Sequence, residues 1–360
     1  MDRATARGLE TRIETIAAFA AIYIIWGSTF IAIRFAIETI PPFLMAGTRL
    51  MLAGIPLFLW GLLRGRRLPS AADWLRAAPV GALLFVGGHG ALAWSEQWVP
   101  TGMAALLLTT ISLWLAILDS LHADGGVLDR GTVAGLIIGF LGVGLLAGPE
   151  GLLGGPRPDP VGTVVLLLGS FSWAAGSVLS KRIERRSAAA GSSVLRLGVH
   201  LVTAMHLLTG GAFLYLLSFL TGELTSPDLP SFSASSILAL LYLSVFGSLV
   251  AFSAYSYLLR ITTAARVGTY AYVNPGIAVL LGWWLADEPL TPRVLGGGIL
   301  IVSAVVIILK RSRVRSTSGA RTEPPAAGIE SEPALSEPAL SEPTLSDTGR
   351  LAPMQEEETS

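Results

Sequence analysis

Apolar residues along this chain gather into long runs separated by short polar breaks. The runs cover Ile16–Phe35, Phe43–Leu63, Ala77–Trp94, Gly102–Leu118, Gly131–Ala147, Val161–Leu179, Val194–Leu220, Ile237–Leu259, Val267–Leu285 and Val294–Leu309. Each approaches the ~17–25 residues with which a helix crosses a ~30 Å hydrocarbon core. The pattern predicts an all-α integral membrane protein of ten transmembrane helices, five in each half. More spans follow the first run, and no small-residue cleavage site does, so it reads as a retained helix rather than a signal peptide.

The layout occurs twice. In Thr262–Leu309 two apolar runs flank the turn Asp287-Glu288-Pro289, and the first is interrupted by Tyr270-Ala271-Tyr272-Val273-Asn274-Pro275. Sliding back without a gap to Val99–Leu146 sets Ala123-Asp124 on Ala286-Asp287, Arg130 on Arg293 and Gly135 on Gly298. A second ungapped match sets Trp26 on Trp173, Arg34 on Lys181 and Arg49-Leu50 on Arg196-Leu197. One half is used twice, a pattern shared with many transporters.

Charge gives the orientation. With the N-terminus inside, the inner segments carry Arg3, Arg7, Arg12, Arg64, Arg66, Arg67, Arg76, Arg130, Lys181, Arg182, Arg185, Arg186, Arg260, Arg266, Lys310, Arg311, Arg313 and Arg315. The outer loops carry only Arg157 and Arg293. Basic loops stay cytoplasmic, so both termini are expected there. Five spans per half then make the repeat inverted. The boundaries read as a cytoplasmic N-terminus at 1–15, a first repeat at 16–148, an outer linker at 149–160 and a second repeat at 161–310. A cytoplasmic tail follows at 311–360. From Ser331 it repeats Ser-Glu-Pro-Ala-Leu, and residues 316–360 hold two Arg against nine acids. Pro, Ser and Glu at that density predict disorder.

Composition narrows the chemistry. Charged residues are 14% and apolar ones 52% of the 360, where soluble domains carry about 25% charge. The absence of cysteine removes disulfides, thiolate catalysis and Cys-type metal sites. No P-loop is present, so no ATP drive is encoded in this chain. No acid or His cluster has metal-ligand spacing. The expected partners are a small-molecule solute and the bilayer, with no nucleic acid and no cofactor.

Several polar or aromatic groups interrupt the apolar runs. Pro275 lacks an N–H and crowds the carbonyl of Ala271, a break tolerated where the freed group is buried in protein or lines a water-filled cavity. Tyr270 and Asn274, four residues apart, share one face; a kink that merely packs is the alternative. His89 and Glu96 share a face of the third run, about 10.5 Å apart along the axis. His89 lies deep in the run, where an ionisable group is functional by default. Both are proton-coupling candidates, a solvated mouth residue being the other reading of Glu96. Trp26 and Trp173 hold equivalent mid-run positions, away from the usual interfacial belts; two at symmetric sites favour cavity walls, with simple packing as the alternative. Arg49 and Arg196 read as snorkelling to an interface, with fixing a helix end by binding carbonyls as the second reading. Gly135-x-x-x-Gly139 and Gly296-Gly297-Gly298 read as close-packing surfaces.

Taken in order, Tyr23-Ile24-Ile25-Trp26-Gly27-Ser28-Thr29, Pro41-Pro42 with Ala46-Gly47-Thr48-Arg49, Ala93-Trp94-Ser95-Glu96-Gln97, Ser172-Trp173-Ala174-Ala175-Gly176-Ser177 and Tyr270-Ala271-Tyr272-Val273-Asn274-Pro275 resemble the drug/metabolite transporter superfamily with tandem EamA-type halves. The likeness covers Ile16–Lys310 and is closest to bacterial inner-membrane exporters. It implies a secondary transporter and not an enzyme, with two halves enclosing a central cavity that opens alternately to each side. The solute-facing set is then Trp26, His89, Trp173, Tyr270 and Asn274, with Pro275 breaking the helix. The chain departs from the pattern at Ser112, where the family carries proline, and at Asp124-Gly125-Gly126, where it carries Gly-Glu. A multispan enzyme acting on a lipid-linked substrate is the competing reading. It would need a His–acid set near one face, and the nearest groups, Asp119, His122 and Asp124, lack a motif.

Overall fold

Proline and hydroxyl residues start the helices. Pro41 precedes a helix opened by Pro42, and Pro100 precedes one opened by Thr101; a fixed φ and a missing N–H cost nothing in a first turn. Ser70 caps a third through a reciprocal bond pair, its Oγ accepting from Asp73 N while the Asp73 carboxylate accepts from Ser70 N at 2.9 Å. That box starts the span at Ala71, earlier than the apolar run suggests. In this computed structural model residues 3–120, 130–147, 159–189, 197–224, 231–261 and 270–319 are described. The tail from residue 320, Asp124-Gly125-Gly126, Arg157 and Arg196 lie outside the described residues.

The helices are α1 (Arg3–Ala36), α2 (Pro42–Leu63), α3 (Ala71–Ser95), α4 (Thr101–Leu108), α5 (Ile111–Ser120), α6 (Arg130–Ala147), α7 (Pro160–Ala189), α8 (Val199–Leu220), α9 (234–261), α10 (Tyr270–Leu285) and α11 (Pro292–Gly319). Among the described residues six helices are long and apolar enough to cross a bilayer: Ile13–Ala36, Pro42–Leu63, Ala71–Ser95, Pro160–Ser187, His200–Leu220 and Ala234–Tyr255. Four shorter apolar helices lie at Thr101–Leu115, Arg130–Leu146, Val273–Leu285 and Pro292–Ile308. Large apolar side chains such as Leu141, Leu168, Leu238 and Ile299 face outward, each more than 60% exposed, as a lipid-bathed surface requires.

Two irregularities set the interior. The fourth run is one apolar stretch in sequence but two helices in space, broken at Thr109-Thr110. There Thr109 Oγ1 donates to Ala105 O at 3.0 Å and Thr110 Oγ1 donates to Leu107 O at 2.6 Å. Such back-bonding competes with the helical ladder and bends it. The break falls three residues from Ser112, the repeat partner of Pro275. Elsewhere, α3 and α9 each carry a π-helical segment, Ala82–Gly90 and Leu243–Val250. Single π turns concentrate at functional positions because they re-aim side chains.

At one end of the bundle the helices are tied by caps. Glu223 accepts from Leu44 N at 2.9 Å and Phe43 N at 3.4 Å. Glu288 accepts from Thr101 N at 2.5 Å and Gly102 N at 3.0 Å. Arg34 Nη1 donates to Glu96 O at 2.9 Å, and Arg293 Nε to Leu145 O at 3.0 Å. Acids therefore sit at helix N-termini and cations at C-termini, as the helix dipole favours. The glycine surfaces pack α6 on α11: a Cβ on Gly135 would meet Ile308 at 2.7 Å, and one on Gly142 would meet Ile301 at 2.8 Å.

Candidate functional site

The polar interruption of α10 meets α1 at Trp26. The Trp26 ring lies 5.0 Å from Tyr270, 5.4 Å from Tyr255 and 5.5 Å from Phe252, edge-on to Tyr270 and Phe252. Its indole N–H donates to Gly247 O at 3.1 Å, inside the π segment of α9. Asn274 is buried behind this box. With its amide nitrogen turned to the nearby carbonyls, it donates to Tyr23 O and Tyr270 O at 3.2 Å each. The amide thus ties α10 to α1 and supports Tyr270 from behind.

His89 and Trp173 form a second group with Phe85. The imidazole centroid is 5.1 Å from Trp173 and 5.3 Å from Phe85, and the Leu84 carbonyl, one π turn back, lies beside the ring. Trp173 presses on the π segment of α3, where a Cβ on Gly88 would meet its Cε3 at 2.6 Å. The two Trp residues paired by the repeat therefore each lie against a glycine of a π segment, Trp26 against Gly247 and Trp173 against Gly88. The structure separates the five candidates into these two groups, Trp26–Tyr270–Asn274 and His89–Trp173.

Arg49 lies beside the first group. It does not snorkel: it is 3% exposed, and its Nε donates to Ser248 Oγ at 3.0 Å. A Cβ on Gly247 would lie 3.2 Å from its Nη2, so the residue that receives Trp26 also makes room for the guanidinium. Its charge acts on both His89 and Glu96. The signal was a single cation seven residues into an apolar run. Ser248, equally mid-run, was its unnoticed partner.

Glu96 is not a solvated mouth residue. Its exposure is 0%, and neither carboxylate oxygen has a hydrogen-bond partner among the described residues. The charges that act on it belong to Glu288, Arg34 and Arg49. A buried carboxylate without donors is costly when ionised and much less so when protonated.

The sequence profile of the EamA-like transporter family matches residues 14–148 and again 160–310. An Escherichia coli K12 protein named "Uncharacterized inner membrane transporter YedA" is 38% identical over 295 residues, 81% of this chain and 90% of its own length. A Salmonella typhimurium protein named "Probable amino-acid metabolite efflux pump" is 25% identical over 82% of this chain and 95% of its own. One crystal structure superposes with a TM-score of 0.57 at 21% identity, covering 83% of this chain and 98% of its own, which shows a common fold.

Proposed function

Because this chain belongs to the EamA-like transporter family, we propose that it is a secondary transporter that exports small organic metabolites or drugs across the bacterial inner membrane by alternating access. Membership makes it a multi-pass membrane transporter. The finer reading is a ten-helix bundle of two inverted five-helix halves around a central cavity. Its support is the double profile match, six long spans with four shorter apolar helices, and matched Trp–glycine contacts on two π segments.

The observation that supports alternating access is a set of cross-half ties concentrated at one end, with Tyr257 Oη donating to Glu14 Oε2 at 3.1 Å toward the other. Glu223 on α2, Glu288 on α4, and Thr39 Oγ1 accepting from Ser233 N at 3.0 Å all lie at one end. On the orientation expected from the basic loops that end faces outside, and we read this as the state closed outward. Solute then meets Trp26, Tyr270, His89 and Trp173 from the inner side, with Asn274 and Pro275 shaping α10 behind Tyr270. Opening outward breaks the caps and exposes Glu96 to external water, so Glu96 exchanges its proton there. His89, near Arg49 and the aromatic groups, is the second candidate for coupling proton movement to solute.

A reversible lock tests the cycle. Cysteines at Thr39 and Ser233, in a chain without any other, should form a bridge that stops transport and frees it on reduction. Transport that continues through the oxidised bridge would contradict alternating access.

A further inference from the structure

Arg49 carries a charge that the described residues leave only partly answered. Both ion pairs among the described residues are made by Asp73, with Arg67 and Arg76, so no carboxylate lies within pairing distance of Arg49. Its Nε is held by Ser248, while Nη1 and Nη2 make no hydrogen bond to a described residue. Glu96, the acid whose charge reaches it, makes no bond to it. A buried guanidinium without a paired anion is costly, and an intramembrane cation is kept when it serves a site.

A small pocket lies beside its Ser248 partner. Between α2, α8 and α9 it is lined by Ala53, Leu57, Thr203, Phe252 and Ser248. Arg49, Ala53, Leu57, Trp60 and Arg64 are spaced by four, four, three and four residues, which places them on one stripe of α2. At the far end of the stripe His200, which also lines the pocket, packs edge-on against Trp60 at 4.9 Å, and the Arg64 guanidinium lies 5.1 Å from the Trp60 ring. The stripe therefore carries a cation at each end, with aromatic rings beside the second. Phe252, on the pocket wall, is 5.5 Å from Trp26, so an apolar surface lies next to the guanidinium.

We propose that Arg49 anchors the solute by its carboxylate, and that the transported class is organic anions with an apolar or aromatic body. The planar fork of Nη1 and Nη2 matches a carboxylate in two parallel bonds. The body then lies along Phe252 and Trp26. This deepens the transport reading and rests on it.

Matched probes of one body and three head groups test it on the purified full-length protein: phenylpropionate, phenylpropionamide and phenylpropylamine, with affinities taken from titrated thermal stabilisation. Phenylpropionate should bind about tenfold or more tightly than the amide, as expected for a charge-assisted pair, and the amine least. Arg49→Gln should abolish that preference, and Arg49→Lys should keep it at lower affinity, a point charge replacing the fork. Ser248→Ala, a mild change that removes only the Nε partner, carries the test if Arg49→Gln fails to fold, and should weaken the anion several-fold. Equal binding of the three heads, no binding of the anion, a preference that survives Arg49→Gln, or unchanged affinity in Ser248→Ala would overturn the anchor. Transport of neutral or cationic solutes in liposomes would leave the transport reading standing while this proposal fell.

Discussion

Glu288 Oε2 accepts the Gly102 N–H at 3.0 Å, so a carboxylate from the second half caps a helix of the first. Glu223 does the same for α2 through Leu44. The first half has no matching acid: the repeat partner of Glu288 is Gly125. These cross-half caps therefore have a definable strength.

Glu288→Ala should lower the stability of the closed end by about 1–2 kcal/mol, the range for losing a helix cap. The expected readout is a reduced Tm together with faster modification of a cysteine placed at Ser95, a position with 0% exposure in this state. An unchanged modification rate would show that the cap does not hold the end shut.

Asn274→Leu removes an amide that bonds Tyr23 O and Tyr270 O. Each bond is worth about 0.5–1.5 kcal/mol, and the change makes the span more apolar and easier to insert. Expression should be unchanged and Tm lower, with apparent solute affinity altered less than by Tyr270→Leu. If affinity falls and Tm holds, Asn274 contacts solute directly.

His89→Gln and Glu96→Gln keep hydrogen bonding but cannot titrate. Glu96→Gln should retain solute binding and lose the dependence of transport on a pH gradient. The same measurement on His89→Gln decides whether the imidazole carries protons or only packs on Trp173. Unaltered gradient dependence in Glu96→Gln would return that carboxylate to a structural role.

Topology is checked with an impermeant thiol reagent. A cysteine at Ser226 should label from outside and one at Leu68, an exposed position on the basic loop, should be protected. The reverse pattern would invert the assignment of the capped end.

Much of the fold was legible because bilayer spans depend on local composition: the runs starting near Pro42, Gly102, Val161 and Val294 fall within one to two residues of helix starts. The aromatic partners of Trp26 and Trp173 were not, since which rings meet depends on how helices cross. The π segments at Ala82–Gly90 and Leu243–Val250 left no mark in hydropathy, because a π turn changes register and not composition. The break at Thr109-Thr110 was hidden for a related reason: a hydroxyl can bond its own helix or a neighbour, and the surroundings choose. Here Thr110 also meets Ser170 Oγ at 2.8 Å. Arg49 was misread because a long cation within one turn or two of an interface can snorkel. Only the three-dimensional position of Ser248 shows that it turns inward.

Flux through the purified full-length protein in liposomes tests the central claim most directly. The vesicles would be loaded with a mixture of metabolites, including small aromatic and aliphatic carboxylates, and sampled with and without an imposed pH gradient. Selected solutes should cross saturably, faster under the gradient, and should stop crossing when the Thr39–Ser233 cysteine bridge is oxidised. No protein-dependent flux of any solute, or a non-saturable leak indifferent to the bridge, would contradict an alternating-access transporter.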